Sequence, residues 1–275
     1  MFDPVTEDTP IPDGEKDASL VHLSIPSEGT NMLGTMFSPS GGGPHPLAVV
    51  LHGFPGHEKN LDIAHALRRA GFCSVVFHYR GSWGSKGNFT FGNMLKDIGS
   101  AVEHFTSNSL KYDMDPSRIT LIGHSMGGWG ALVHGAKDPR VGRIAVMAPF
   151  DLGIVKDFAT VDDISRILVL KGFEESLEPL HGTTPEGLLS EIIENGDGWK
   201  LTGSAGALAG KKLLIIGASR DTTAPPELNI APLVEALKAA GASHLATHEL
   251  DSDHNFSDGR VRLTRVILDW LQNDI

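Results

Sequence analysis

The residues best suited to chemistry lie in the run Arg118-Ile-Thr-Leu-Ile-Gly-His-Ser-Met-Gly-Gly-Trp-Gly-Ala-Leu. A short apolar strand pattern leads into Gly123-His124-Ser125-Met126-Gly127 and then into a helical pattern, the arrangement of a nucleophile elbow. A serine on so sharp a strand-to-helix turn is expected to hold a strained backbone at positive φ, at a cost on the order of 1–3 kcal/mol. The turn would lift its hydroxyl clear of a sheet. Gly123 and Gly127 are expected beside it because a side chain at either place would collide with the neighbouring strand or helix. A Gly-X-Ser-X-Gly run also arises by chance, but here the flanking strand and helix patterns match as well.

A hydroxyl is a poor nucleophile until a base takes its proton. Of thirteen histidines, His254 has the fitting position, in the loop Asp251-Ser-Asp-His-Asn-Phe-Ser-Asp between a strand over 246–250 and the last helix. His248 falls inside that strand, His244 before it, and His65, His104 and His134 within helical patterns, where structural or solvated roles are expected. Asp221, after the apolar run Leu213-Leu-Ile-Ile, is expected to hold the imidazole in the useful tautomer. Asp251 and Asp253 are its competitors as loop carboxylates.

Acyl transfer also needs two N–H donors for the oxyanion of a tetrahedral intermediate. The residue after the serine, Met126, and Phe54 in the glycine loop His52-Gly-Phe-Pro-Gly56 are the candidates. His52 ends a buried strand and is read as shaping that loop rather than as a base. The loop does not read as a phosphate cradle, since neither Gly-Lys-Ser nor Gly-X-Gly-X-X-Gly follows. With no His-Glu-X-X-His and a single cysteine, no metal or other cofactor is expected. Cys73, inside an apolar strand, reads as a buried structural thiol.

The elements needed to position these groups follow from the hydrophobic pattern. Residues 20–25 and 32–37 read as a hairpin; 47–51, 73–79, 119–122, 142–148, 213–216 and 245–250 read as further strands. Helical periodicity lies between them, ending near Gly71 and running over 94–105, 129–136, 230–240 and 261–271. Strands alternating with helices predict an α/β fold with a mainly parallel sheet covered on both faces, whose ligands sit beyond the carboxyl ends of the strands. Between 150 and 209 the alternation is lost, and an inserted helical cap is expected, a long connection containing a sheet helix being the other reading. Phe158, Phe173 and Trp199, with Leu177 and Leu180, are the candidate pocket residues in that insert. Residues 1–19 form an acidic, proline-bearing lead-in expected to be poorly ordered, leaving 20–149 and 210–275 as the core.

Composition narrows the partners. A chain of 275 residues with a formal charge of −11 offers no basic stripe for a phosphate backbone, so nucleic acid is not an expected partner. No apolar run reaches membrane-spanning length, and the N-terminus has neither the basic start nor the apolar run of a signal peptide. The cytoplasm is the default expectation.

Gly123-His-Ser-Met-Gly-Gly, His52-Gly-Phe-Pro-Gly, Asp221 and His254, in the chain order serine, acid, histidine, resemble the α/β-hydrolase superfamily from about residue 20 to the C-terminus. Phe77-His-Tyr-Arg-Gly-Ser-Trp-Gly-Ser-Lys-Gly, Asp115-Pro-Ser-Arg-Ile and Asp253-His-Asn-Phe-Ser-Asp are similar to segments of the hydrolase domain of prolyl oligopeptidase and acylaminoacyl-peptidase relatives. They also resemble dienelactone-hydrolase-like and feruloyl-type esterases, of which the dienelactone hydrolases carry cysteine where this chain has Ser125. The resemblance implies an α/β-hydrolase fold with an eight-stranded type of sheet, and an enzyme cleaving small or medium carboxylic esters through an acyl-enzyme. A peptidase or amidase acting on short peptides or amides is the nearest alternative, and a non-catalytic binding protein of the same fold is the alternative from another class.

Overall fold

The computed structural model describes residues 2–9 and 16–272. The chain opens with a hairpin, β1 (Ser19–Ser27) and β2 (Thr30–Ser38), closed through Glu28 and Gly29 at φ 45° and 81°. Two left-handed residues give the turn a twist that matches the strands it joins. The other strands are β3 (His45–Leu51), β4 (Cys73–Phe77), β5 (Met114–His124), β6 (Val141–Met147), β7 (Lys212–Ala218) and β8 (Leu245–Leu250). Together they form one eight-stranded sheet in the order β1-β2-β4-β3-β5-β6-β7-β8. Both pairings of β2 are antiparallel, and every pairing from β4 to β8 is parallel.

The unbroken apolar runs of the central strands follow from burial on both faces. In β3, Leu47, Val49 and Leu51 pack into one core layer, while Ala48 and Val50 pack into the other. Against the first layer lie α2 (Phe91–Ser107), α4 (Met126–Gly135) and α10 (Ala231–Ala239); against the second lie α1 (Leu61–Arg69) and α11 (Arg260–Gln272). The stretch after β6 contains α5 (Leu152–Ala159), α6 (Asp163–Glu174), α7 (Pro185–Trp199), a 3₁₀ turn over Leu201–Ser204 and the short α8 (Ala205–Leu208). One-turn helices α3 (Ser109–Tyr112) and α9 (Pro226–Asn229) complete the chain. Among the described residues no helix is long and apolar enough to cross a membrane.

Several boundaries differ from the sequence pattern for identifiable reasons. The strand expected over 73–79 stops at Phe77, because Tyr79 leaves the sheet and donates its hydroxyl to the His52 carbonyl at 3.1 Å. The helix expected from 94 starts at Phe91, where the Thr90 hydroxyl accepts the Asn93 N–H. The start of the acidic lead-in is docked rather than loose: Asp3 pairs with Arg265 at 2.7 Å, and Arg69 donates to the carbonyls of Pro4 and Val5. The remainder of that expectation, over 10–15, lies outside the described residues.

One buried ion pair, Arg80–Asp97, ties the loop after β4 to the first long helix, and a hairpin hydroxyl joins it. Asp97 on α2 accepts hydrogen bonds from the Ser27 hydroxyl, the Arg80 backbone N–H and Arg80 Nε, and its side chain is fully buried. Burial pushes the Asp97 carboxyl above its ordinary pKa, and these three bonds oppose that push. Removing one member of a buried pair strands the other charge, at a cost of about 3–5 kcal/mol. Asp97→Ala should therefore lose stability of this order in urea unfolding, whereas truncating the exposed Lys171–Glu175 pair should cost under about 1 kcal/mol.

Candidate active site

Three parallel strands end at one place. Ser125 follows β5, Asp221 lies beyond the end of β7, and His254 lies in the loop between β8 and α11. Ser125 has φ 55° and ψ −122°, the strained conformation expected of the elbow. The sheet holds it there: its N–H donates to the Met147 carbonyl on neighbouring β6 at 2.9 Å, and its carbonyl accepts from Gly128, Trp129 and Phe150. The flanking glycines answer steric need. A Cβ on Gly123 would come within 2.2 Å of the Gly127 carbonyl oxygen, and one on Gly127 within 2.2 Å of the Leu51 carbonyl oxygen.

Side chains on these loops form a continuous hydrogen-bonded chain. His254 Nε2 lies 2.9 Å from Ser125 Oγ, and His254 Nδ1 lies 2.7 Å from Asp221 Oδ2. The other oxygen of Asp221 accepts from the backbone N–H groups of Thr223 and Ala224, each at 2.8 Å. Burial alone would raise the Asp221 carboxyl. The bonds from His254 and from these amides outweigh burial and hold it below the ordinary carboxylate range. The competing acids are otherwise engaged: Asp251 accepts from Arg220 Nε at 2.7 Å, and Asp253 accepts from the Ser257 N–H at 2.8 Å.

Two further histidines support this chain: His52, which the sequence already reads as shaping the glycine loop, and His124, which the sequence pattern does not single out. His124 donates Nε2–H to the backbone carbonyl of His254 at 2.9 Å, so the elbow grips the histidine loop directly. Burial, above all, holds its pKa down at about 4, keeping the ring neutral near pH 7. His52 is fully buried and its pKa is held at about 3, again by burial foremost. Its Nδ1–H donates to the Gly53 carbonyl at 2.8 Å. That carbonyl and the Phe54 N–H belong to one planar peptide, so the bond fixes the direction of the N–H. Cys73 is buried, and burial pushes its thiol up to about 11, which fits a structural role.

The glycine loop after β3 lies against the serine. A Cβ on Gly53 would come within 2.9 Å of the Ser125 Cβ. Phe54 and Met126 line the same cavity as Ser125 and His254. Among the described residues no turn, loop or cap acceptor engages the N–H of either.

This cavity has a volume of about 660 Å³ and runs beneath α5 and α6. Phe158 and Phe173 line it, together with Phe91, Phe150, Leu152 and Val155. Phe150 carried a readable signal, since it follows β6 at the carboxyl edge of the sheet; Phe91 did not, because the turn that brings the start of α2 to the cavity is not written in periodicity. Trp199 does not line the cavity. It packs on Trp129, with ring centroids 5.2 Å apart, and its carbonyl accepts the Trp129 indole N–H at 2.9 Å. A large aromatic at the end of α7 is thus consumed by the helical layer over the sheet. Leu180 is likewise buried, beside the backbone bridge between Ser82 and Leu180, and Leu177 packs partly buried against the core.

Comparisons with known proteins agree with this architecture. The model of the alpha/beta hydrolase family matches residues 48–260. An uncharacterized 31.7 kDa protein of the traX-finO intergenic region of Escherichia coli is 30% identical over 153 residues, 54% of this chain and 52% of that protein. An uncharacterized protein of Mycobacterium tuberculosis is 31% identical over 101 residues, 36% of this chain and 35% of that one. The alignments thus span about half or less of the length of these relatives. Among solved structures, an esterase of Pyrococcus furiosus superposes with a TM-score of 0.69 at 17% identity, covering 97% of both chains. Est1E from Butyrivibrio proteoclasticus gives 0.68 at 16%, covering 92% of this chain and 98% of that one. An acylaminoacyl peptidase of Pyrococcus horikoshii gives 0.68 at 17%, covering 94% of this chain but 41% of the peptidase. At such identities the likeness is one of fold, whereas the family model spans most of the chain, elbow and histidine loop included: this protein belongs to the α/β-hydrolase family.

Proposed function

We propose that this protein is a serine hydrolase that cleaves carboxylic esters of small or medium substrates through an acyl-enzyme. The observation that carries the reading is the unbroken chain from Ser125 Oγ through His254 to Asp221, mounted on a strained elbow. His254 takes the Ser125 proton as Oγ attacks the ester carbonyl carbon. The Phe54 and Met126 N–H groups receive the oxyanion, each such donor being worth about 2.7–4 kcal/mol of transition-state stabilisation. The ester C–O bond then breaks, and the proton on His254 passes to the leaving alcohol. A water molecule gives a proton to His254 as its oxygen attacks the acyl carbon; the carboxylic acid departs and the proton returns to Ser125. Within residues 150–209, α5 and α6 act as the cap, roofing the cavity and limiting water at the reacting carbon.

Ser125→Ala should abolish labelling by a fluorophosphonate and lower kcat for p-nitrophenyl esters by a factor on the order of 10⁶. The variant should keep its fold, because among the described residues the Ser125 hydroxyl is hydrogen-bonded to His254 alone. Undiminished turnover by the purified variant would refute the assignment.

Asp221→Asn should lower kcat by roughly 10⁴, since the imidazole loses the acceptor that selects its tautomer. Asp253→Asn should change kcat little, because that carboxylate caps its own loop. The reverse order of effects would name the wrong acid.

The pH profile follows from the same chain. General-base catalysis needs neutral His254, so kcat/KM should decline toward acid with the slope of one proton. Asp221, held below the ordinary carboxylate range, stays ionised through that decline. Stopped-pH assays on a soluble ester would contradict the scheme if the rate rose toward acid.

A further inference from the structure

The cavity over Ser125 opens onto an apolar rim that continues along the outside of α6. Ile164 stands one helical turn before the adjacent Ile167 and Leu168 on that helix; the three are 70%, 61% and 55% exposed, and Val161 just before the helix is 71% exposed. Single exposed aliphatics are ordinary, but a contiguous set beside a binding cavity marks an interaction surface. Continuity with the cavity is direct: Phe158, Leu168 and Leu228 are at once solvent-exposed and part of its wall. In contrast, α7 is fixed to the body, with Glu191 accepting the N–H groups of Phe91 and Gly92 at the start of α2.

The chemistry of the wall restricts what can enter. Among the described residues lining the cavity there is no lysine or arginine, and the carboxylates present are Glu58 and Asp151. Asp151 is already bonded to the N–H groups of Gly153 and Leu201. A carboxylate or phosphate on a ligand would find no cationic partner there, whereas an uncharged acyl chain would meet Phe54, Phe91, Val155 and Phe173.

The position of the stripe selects its occupant. A second copy of the chain, or another protein, seated on Ile164, Ile167 and Leu168 would also cover the cavity mouth and block access to Ser125. A lipid aggregate would cover the same residues and deliver its own molecules through that mouth. Along α6 and at its ends stand Asp162, Asp163, Glu174 and Glu175 against Arg166 and Lys171, an acidic excess on a chain of formal charge −11, which fits an uncharged surface rather than an anionic one. We infer that the substrates are neutral, water-insoluble acyl esters, taken from a lipid surface on which α6 rests through Ile164 and Ile167. This inference rests on the hydrolase reading above.

The test uses the full chain with tributyrin, below and above its solubility limit, and p-nitrophenyl acetate as a fully soluble ester. Wild-type turnover of tributyrin should rise at least fivefold above the extrapolated saturation curve once droplets form. The double variant Ile164→Ser/Ile167→Ser should lose that rise while hydrolysing p-nitrophenyl acetate within twofold of wild type. In a separate arm free of turnover, Ser125→Ala should float with tributyrin droplets in a density gradient, and the same protein carrying both serine substitutions on α6 should not. A wild-type rate that saturates smoothly through the solubility limit would overturn the inference without needing any variant to fold. So would a double variant that keeps the rise, or light scattering that finds a wild-type dimer dissociated by the two substitutions. Failure of the hydrolase reading is distinguishable, since p-nitrophenyl acetate turnover and fluorophosphonate labelling would then both be missing while the flotation arm still reports on the surface.

Discussion

The backbone turn at Ser125 is the constraint to which the surrounding structure is fitted. A non-glycine residue at φ 55° stores strain, and it persists only where neighbours leave no alternative. Here the alternatives are closed by the β6 carbonyl of Met147, by three N–H groups converging on the Ser125 carbonyl, and by glycines at 123 and 127 whose missing Cβ atoms let strand, turn and helix meet. Gly53 extends the same close packing to the loop after β3. The elbow is therefore stabilised by the sheet and the following helix together with its own glycines.

Around that turn, the hydrogen-bond partners decide which of several equivalent side chains has a role. Asp221, Asp251 and Asp253 are all loop carboxylates near the histidine in sequence or space. Arg220 engages Asp251 as well as Asp258, and Asp253 caps its own loop, so the Asp221 carboxylate is the one facing His254. His124 and His52 remain neutral through burial and act through single donated bonds, one to the loop carrying His254 and one to the peptide carrying the Phe54 N–H. Their contribution is orientation, at the cost of two buried ring nitrogens, His52 Nε2 and His124 Nδ1, without protein partners.

The stretch between β6 and β7 divides into two physical roles. Its later part behaves as body: α7 ends in Trp199 against Trp129, Asp151 reaches across to the Leu201 N–H, and Glu191 closes the start of α2. Its earlier part, α5 and α6, stands over the cavity, and apart from Ser165 no residue of α6 is buried. Apolar content alone could not separate them, because Phe173 on the cavity wall and Trp199 in the helical layer have the same kind of side chain and differ only in what packs on them.

The sequence by itself determined the sheet, the elbow and the placing of Ser125, Asp221 and His254 at strand ends, since these depend on local pattern: unbroken apolar runs for strands buried on both faces, glycine where a Cβ would collide, and polar loops at strand ends. Ser125, Asp221 and His254 were legible because each follows a strand whose direction the alternation of strands and helices already fixed. What remained to the tertiary structure was every choice made by through-space contact: that Asp251 and Asp253 are engaged elsewhere, that His124 grips the loop carrying His254, that Phe91 reaches the cavity while Trp199 does not, and that Ile164 and Ile167 face water. Those outcomes depend on side chains far apart in the chain meeting in a particular packing. Neither spacing nor composition records such meetings, because one residue type serves equally well for core, cavity wall or exposed rim until its neighbours are in place.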